Sequence, residues 1–449
     1  MNPFPSSFRP PVPAFQPLLR GLLLASIGSL SLTACKKDSD TTTTATGAGT
    51  ILYIENNLAS GNGILAYHQE ADGSLKEIPG SPFATGGTGF ANSIQALGAD
   101  DTDEPVALSA DRKRLYAVNQ GSNTVAVFDI QADGKLTAVA GSPFPSGGNN
   151  PVSIGVAGSR LFVVNKSDDG NPATTDPAPN YTTLDVAANG RLSAVPGATF
   201  TTTPGASPAH ALVAPGQRLL FVDDFLAFMP PSMSGTLRAF AIGADGKLTA
   251  AAGTPQPLPL VPPAATAGGA LGLWTHPTQN VLYVGFPMQG KVGVYTYDAA
   301  TGAPNFVRAV DSGNPGLPNA ATCWLRVNQA GTRLYALNSG EGTVSVFDLA
   351  NAQSPTLSQT LALKNPGPVF GTTPANSLVS SQPFHLTFSA DGNTLFVVSQ
   401  HANTSFVTNY NYIHTLPVGS NGMLSEPTEP VQPTVPATAR PQGAVSVTF

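Results

Sequence analysis

Seven short runs of aromatic and β-branched residues recur along the chain, each opening on Leu. They are 52–54 (LYI), 115–119 (LYAVN), 161–165 (LFVVN), 220–222 (LFV), 282–284 (LYV), 334–338 (LYALN) and 395–398 (LFVV). Such residues favour the pleated, half-buried surface of a strand. The opening leucines lie 46 to 63 residues apart. A second apolar run follows each signature, clearest at 124–129 (TVAVFD) and 343–348 (TVSVFD). Tight turns come next: Ala71-Asp72-Gly73, Ala132-Asp133-Gly134, Asn189-Gly190, Ala244-Asp245-Gly246 and Asn421-Gly422. Asp-Gly and Asn-Gly supply the positive φ that a two-residue hairpin needs. A further strand precedes each signature, as at 151–156 (PVSIGV) and 384–388 (FHLTF). The pattern predicts units of four antiparallel strands, labelled a to d from the inside out, with the signature as strand b.

Four-stranded units repeated four to eight times describe a β-propeller. The chain enters at strand b, residues 50–54, with no strand a before it. It ends on 443–449 (GAVSVTF), which reads as the missing strand. The expected fold is therefore all-β: a seven-bladed β-propeller over residues 50–449, four antiparallel strands per blade, its ring closed by the C-terminal strand. Closure removes an exposed sheet edge. Stacked β-sandwiches or an open solenoid explain neither seven units nor a split one.

Composition agrees. Charged residues are 11% of 449, and Gly (46) and Pro (42) are abundant, which suits turns and short strands rather than long surface helices. Residues 1–34 read as a targeting segment. Arg9 and Arg20 are their only charges, the apolar run 21–32 is too short to span a bilayer, and Leu32-Thr33-Ala34-Cys35 resembles a bacterial lipobox. Cys35 is the expected lipidation site, anchoring the protein to a membrane. Residues 35–49 are a polar, Thr-rich tether. Lys36 after the Cys resembles the Gram-negative sorting signal for the outer membrane, so the expected location is the cell envelope, on its periplasmic or surface face. Without Arg9 and Arg20 the 21 basic residues become 19 against 27 acidic. That excess of acid argues against nucleic-acid binding. The other cysteine, Cys323, then has no disulfide partner and reads as a small buried residue.

Long connections fall between strands b and c and between d and the next a: 80–104, 252–269 and 365–382, and 166–180, 223–234 and 400–411. Loops of this length on a rigid scaffold commonly carry function, so this face is the expected working face. His210, Trp324 and His385 each lie ten residues before a strand-b Leu. They are expected at the start of strand a, near the channel mouth, as ligand-binding or catalytic groups; as a bland alternative, each His is an interblade hydrogen-bonding residue. Arg326, two residues beyond Trp324, is expected on the same side, either meeting an anionic ligand or forming a structural ion pair with a carboxylate. The six histidines show no metal spacing, and no metal or other cofactor is expected. Asp100-Asp101-Thr102-Asp103-Glu104, Asp168-Asp169 and Asp223-Asp224 lack calcium-loop spacing and are expected to be solvated acidic loops.

The repeat resembles the seven-bladed lactonase-like propellers, the 6-phosphogluconolactonase-related family with YVTN-type repeats. The resemblance rests on residues 109–119 (SADRKRLYAVN), 121–128 (GSNTVAVF), 132–136 (ADGKL) and the Gly-Ser-Pro-Phe turns at 80–83 and 141–144. It implies lactone hydrolysis built on a strand-a His, a Gly-Pro-Arg-His strand in the next blade and a Glu after that blade's strand b. His210 matches the first element. The next blade reads 269–273 (GALGL) and its strand b ends at Gly285-Phe286, so the other two are missing. Two functions are therefore expected. The first is a lipid-anchored binding module whose loop-rich face engages a protein, carbohydrate or small polar ligand. The alternative is an extracytoplasmic lactone hydrolase with His210 as base and Arg326 stabilising negative charge.

Overall fold

A computed structural model describes residues 49–90, 102–167, 178–202, 206–225, 235–261, 269–314, 320–364, 381–401 and 409–449. The targeting segment, Cys35, nearly all of the tether and most of the long connections lie outside these residues. The chain from Gly47 onward forms one compact unit.

Seven antiparallel sheets follow one another in the order a–b–c–d. The inner strands are Gln442–Thr448 (blade 1), Val106–Leu108 (2), Pro151–Ala157 (3), Leu212–Val213 (4), Leu273–Thr275 (5), Thr322–Val327 (6) and Ser381–Phe388 (7). The ring closes as the sequence predicts: Gln442–Thr448 pairs with Thr50–Glu55, setting Ile51 opposite Val447 and Tyr53 opposite Val445. Blade 7 departs from four strands. Its sheet has three, Ser381–Phe388, Thr394–His401 and Tyr412–Pro417, followed only by the single bridges Ile413–Val431 and Val418–Leu424. The cause is local, because Pro427, Pro430, Pro433 and Pro436 cannot donate to a ladder.

The core lies between neighbouring blades. Tyr53, Ile64 and Ala66 of blade 1 pack against Leu115, Ala117 and Phe128 of blade 2. The aromatic second residue of the signature ties the blades together. Tyr53 and Tyr335 donate their hydroxyls, each over 2.8 Å, to the carbonyls of Gly134 and Gly422, the turn glycines of the next blade. Tyr283 donates to Ala352 O over 2.9 Å in the same sense.

Gly272 meets a tighter demand. Its φ is +85°, and a Cβ there would lie 2.4 Å from the backbone nitrogen of Trp324. Neither atom belongs to a flexible side chain, so blade 5 reaches blade 6 at this point only through glycine. Gly272→Ala is expected to cost at least ~1–3 kcal/mol from the backbone strain alone. Urea unfolding beside Gly253→Ala, an equally left-handed glycine with open space around it, isolates the contribution of the contact.

A buried charge cluster at the centre of the ring

The cluster is organised by residues 102–104, which lead into the inner strand of blade 2. Their polar groups meet five other blades. Trp324 Nε1–H (blade 6) donates to Thr102 O over 2.8 Å, and His385 Nε2–H (blade 7) donates to the same oxygen over 3.1 Å. The Thr102 hydroxyl donates to Gln442 Oε1 (blade 1) over 3.1 Å. Asp103 N–H donates to Ala209 O (blade 4), and Ile154 N–H (blade 3) donates to Glu104 O.

The side chains add charge. Arg326 pairs with Glu104, donates from Nη1 to Leu325 O over 2.9 Å, and lays its Cζ 4.1 Å from the centre of the Trp274 ring. Asp103 Oδ2 lies 2.9 Å from His210 Nδ1, both side chains without exposed surface. The Leu273 N–H reaches the same nitrogen over 3.2 Å. A ring nitrogen has one in-plane position, so it either accepts from Leu273 or, protonated, pairs with Asp103. Burial pushes Asp103 up, but His210 and Arg326 outweigh it and hold the carboxyl below its ordinary range. Burial pushes His210 down, and Asp103 more than reverses this. Asp223, also fully buried, is pushed up by burial to about 7 against the pull of His210. Burial lowers Arg326 to about 10, still charged at neutral pH, and lowers His385 to about 4, so its ring is neutral.

The four residues singled out from sequence thus converge on one short segment, with corrections. Trp324 and His385 are each 2% exposed: they lie beneath residues 102–104, not at an open channel mouth. Nor do they share a register. Trp324 is the extra residue between the Cys323–Leu337 and Leu325–Ala336 pairs, with φ +34°, whereas in blade 7 the extra residue is Phe384. Two bulges one residue apart undo an equal sequence count. The same bulge breaks the alternation that placed Arg326 beside Trp324, although both still reach residues 102–104. Asp103, Glu104, Asp223 and Asp224 are not solvated loop residues. Glu104 pairs with Arg326, Asp224 with Arg238 over 2.8 Å, and Asp103, Asp223 and Asp224 are at most 1% exposed. Asp100, Asp101, Asp168 and Asp169 lie outside the described residues. Cys323 is buried, as expected.

Two further features bear on function. A cavity of about 400 Å³ opens between the a–b turns, lined in part by Leu212, Gln217, Trp274, Thr275 and Gln329. It lies on the short-turn face, opposite the expected working face. In blade 7 the Ser399 hydroxyl donates to His414 Nε2 over 2.9 Å, and His414 Nδ1–H donates to Glu426 Oε1 over 2.6 Å. The order resembles a catalytic triad, yet Ser399 and His414 have no exposed surface. They occupy the place where blades 6 and 3 join Asn338 to Ser345 and Asn165 to Thr182. This chain is a buried polar ladder.

Fold and cluster define a seven-bladed propeller with a buried cluster of charged groups at its centre. A family model described as a lactonase, 7-bladed beta-propeller, matches residues 41–174. A 6-phosphogluconolactonase of Yersinia enterocolitica is 21% identical over 268 residues, 59% of this chain and 72% of that protein. The periplasmic gluconolactonase of Pseudomonas aeruginosa superposes with a TM-score of 0.63 at 17% identity, covering 89% of this chain and 99% of that one. A Lactobacillus plantarum protein gives 0.62 at 16% identity, with the same coverage. The chain is a seven-bladed β-propeller, similar to the lactonase propellers over the residues that match. At these identities the structural likeness is one of fold.

Proposed function

We propose that the protein is a lactone hydrolase of the sugar-lactone class, acting in the cell envelope. The observation that carries this reading is the meeting of a carboxylate-backed imidazole, His210 with Asp103, and a buried guanidinium, Arg326, at the centre of a lactonase-like ring. His210 takes the proton of the attacking water, and Arg326 faces the charge that develops on the carbonyl oxygen. Trp324 and His385 act as positioning residues, holding Thr102 and so Asp103. The relatives named above suggest gluconolactones and their 6-phosphates as first substrates. Hydrolysis is expected to fall by ~10²–10⁴-fold in His210→Ala. Turnover no faster than the uncatalysed reaction, or unchanged in the variant, would overturn the proposal.

The binding-module reading stands second, favoured by the complete burial of His210 and Asp103. The envelope location rests on the lipobox, and metabolic labelling with a fatty acid, lost in Cys35→Ala, tests it.

A further inference from the structure

The cavity on the short-turn face belongs neither to the charge cluster nor to the loop-rich face. It lies where the inner strands of blades 4 to 6 run out, walled by Leu212, Trp274 and Val327 and rimmed by the turn residues Gln217, Asn328 and Gln329. Its volume of about 400 Å³ falls within the range of small-molecule sites, ~300–1,000 Å³. Trp274 breaks the pattern of the repeat. It pairs with Tyr283, the aromatic second residue of the signature. In the other blades the residues opposite that position are Val445, Ala107, Gly155, Leu212, Arg326 and Thr387. Blade packing therefore does not call for an indole here. Trp274 is left partly exposed, whereas Trp324, the chain's other tryptophan, is 2% exposed.

The walls are fixed before any ligand arrives. Arg326 holds one face of the Trp274 ring, its Cζ 4.1 Å from the ring centre. His276 is 4% exposed, and its Nδ1 is shared by the Thr278 and Gln279 N–H groups over 3.2 and 3.1 Å. Its Nε2–H donates to Gly331 O over 3.0 Å, which joins the turns of blades 5 and 6. Asn328 Oδ1 accepts from the Thr332 and Arg333 N–H groups over 2.8 and 3.0 Å, so that amide is spent inside its own turn. Gln217 and Gln329, by contrast, are exposed, and their amides bond to no described residue. None of the residues lining the cavity is charged. We propose that this cavity binds a neutral carbohydrate of monosaccharide to disaccharide size. A sugar ring lies against Trp274, and its hydroxyls bond to the amides of Gln217 and Gln329. An indole supplies a large apolar surface, and a side-chain amide both donates and accepts, as a sugar hydroxyl does. A phosphate or carboxylate finds no counter-charge in this lining. Walls already braced leave little ordering cost to binding. The site does not rest on the hydrolase reading.

With two tryptophans in the chain, an isotope-labelled sample of the full-length protein has two indole N–H resonances to follow by NMR. Titration with glucose, N-acetylglucosamine or maltose should shift the Trp274 signal to saturation and leave that of Trp324 in place. Trp274→Phe assigns the pair. Affinity should fall at least ~10-fold in the double variant Gln217→Asn/Gln329→Ala, the loss of two hydrogen bonds. Both positions are exposed turns, and Asn tolerates the φ of +57° at Gln217. An unmoved Trp324 signal shows that the variant is folded. Four results would each overturn the site: no saturable shift with any of these sugars, tighter binding of glucose 6-phosphate than of glucose, an affinity unchanged in the double variant, or a shift given by hexanol alone. Sugar binding should be unchanged in His210→Ala, whose turnover tests the hydrolase alone, so the two readings fail separately.

Discussion

Arg326→Met is expected to cost about 3–5 kcal/mol of folding stability, the penalty for removing one partner of a buried ion pair. Arg326 is 6% exposed, and its guanidinium is held by Glu104, by Leu325 O and by the Trp274 ring. Met fills a similar volume, so lost packing contributes little. What remains is Glu104, stranded beside Asp103 with no cation. A cation over a desolvated indole adds about 2 kcal/mol on its own. Glu104→Gln in the same background should recover much of the loss, because it removes the stranded charge. Denaturant unfolding of the single and double variants gives the coupling energy. A single variant within ~0.5 kcal/mol of the parent would show that Arg326 contributes little to stability, which would leave it free for a purely catalytic part.

The outcome also bears on how residues 102–104 stay in place. They are held mostly by groups distant in sequence: Ala209, Trp324, Arg326, His385 and Gln442. Each contact is modest, but together they fix a three-residue segment across the axis. Weakening the Arg326–Glu104 pair should therefore loosen Asp103 and its contact with His210 as well.

That long-range character explains what could be seen in the sequence and what could not. The blades were legible because their signals are local: alternating apolar residues, Asp-Gly turns, and a final strand matching a missing first one. Counting within a repeat placed His210, Trp324, Arg326 and His385 on or beside the inner strands, but not their register or their burial. The state of the acidic residues did not follow from it. Asp100-Asp101-Thr102-Asp103-Glu104 has the composition of a solvated loop, and only Arg326, more than two hundred residues away, turns Glu104 inward. Asp223 and Asp224 were misread in the same way, because their surroundings come from His210 and Arg238. Bulges were equally invisible: nothing in the spelling of Cys323-Trp324-Leu325 or Pro383-Phe384-His385 marks which residue is the extra one.

Glu55 supplies the second large effect, one that depends on pH. It ends the first strand b, has no exposed surface, and burial pushes its carboxyl from 4.5 up to about 8. Asn62 and Gln442 donate hydrogen bonds to it, which offsets only part of that burial. The sign follows from proton counting. Below 4.5 the group is protonated whether folded or not, and it contributes no pH dependence. Between 4.5 and 8 the folded state keeps a proton that the unfolded state releases, so stability falls by about 1.4 kcal/mol per pH unit. Above 8 the loss levels off. The neutral acid must donate its O–H, and Gln442 can accept it if the amides of Gln442 and Gln120 rotate together, which turns the unpaired Nε2 of Gln120 toward Gln442 Oε1 and leaves the Thr102 hydroxyl to accept from Gln442 Nε2. In Glu55→Gln the amide N–H can donate in the same direction without titrating. The variant should therefore match the parent near pH 4.5 and exceed it by roughly 3 kcal/mol at pH 7. Unfolding midpoints of both proteins between pH 5 and 9 test this. A constant difference across that range would mean that Glu55 is ionised in the fold and that Asn62 and Gln442 suffice to hold its charge.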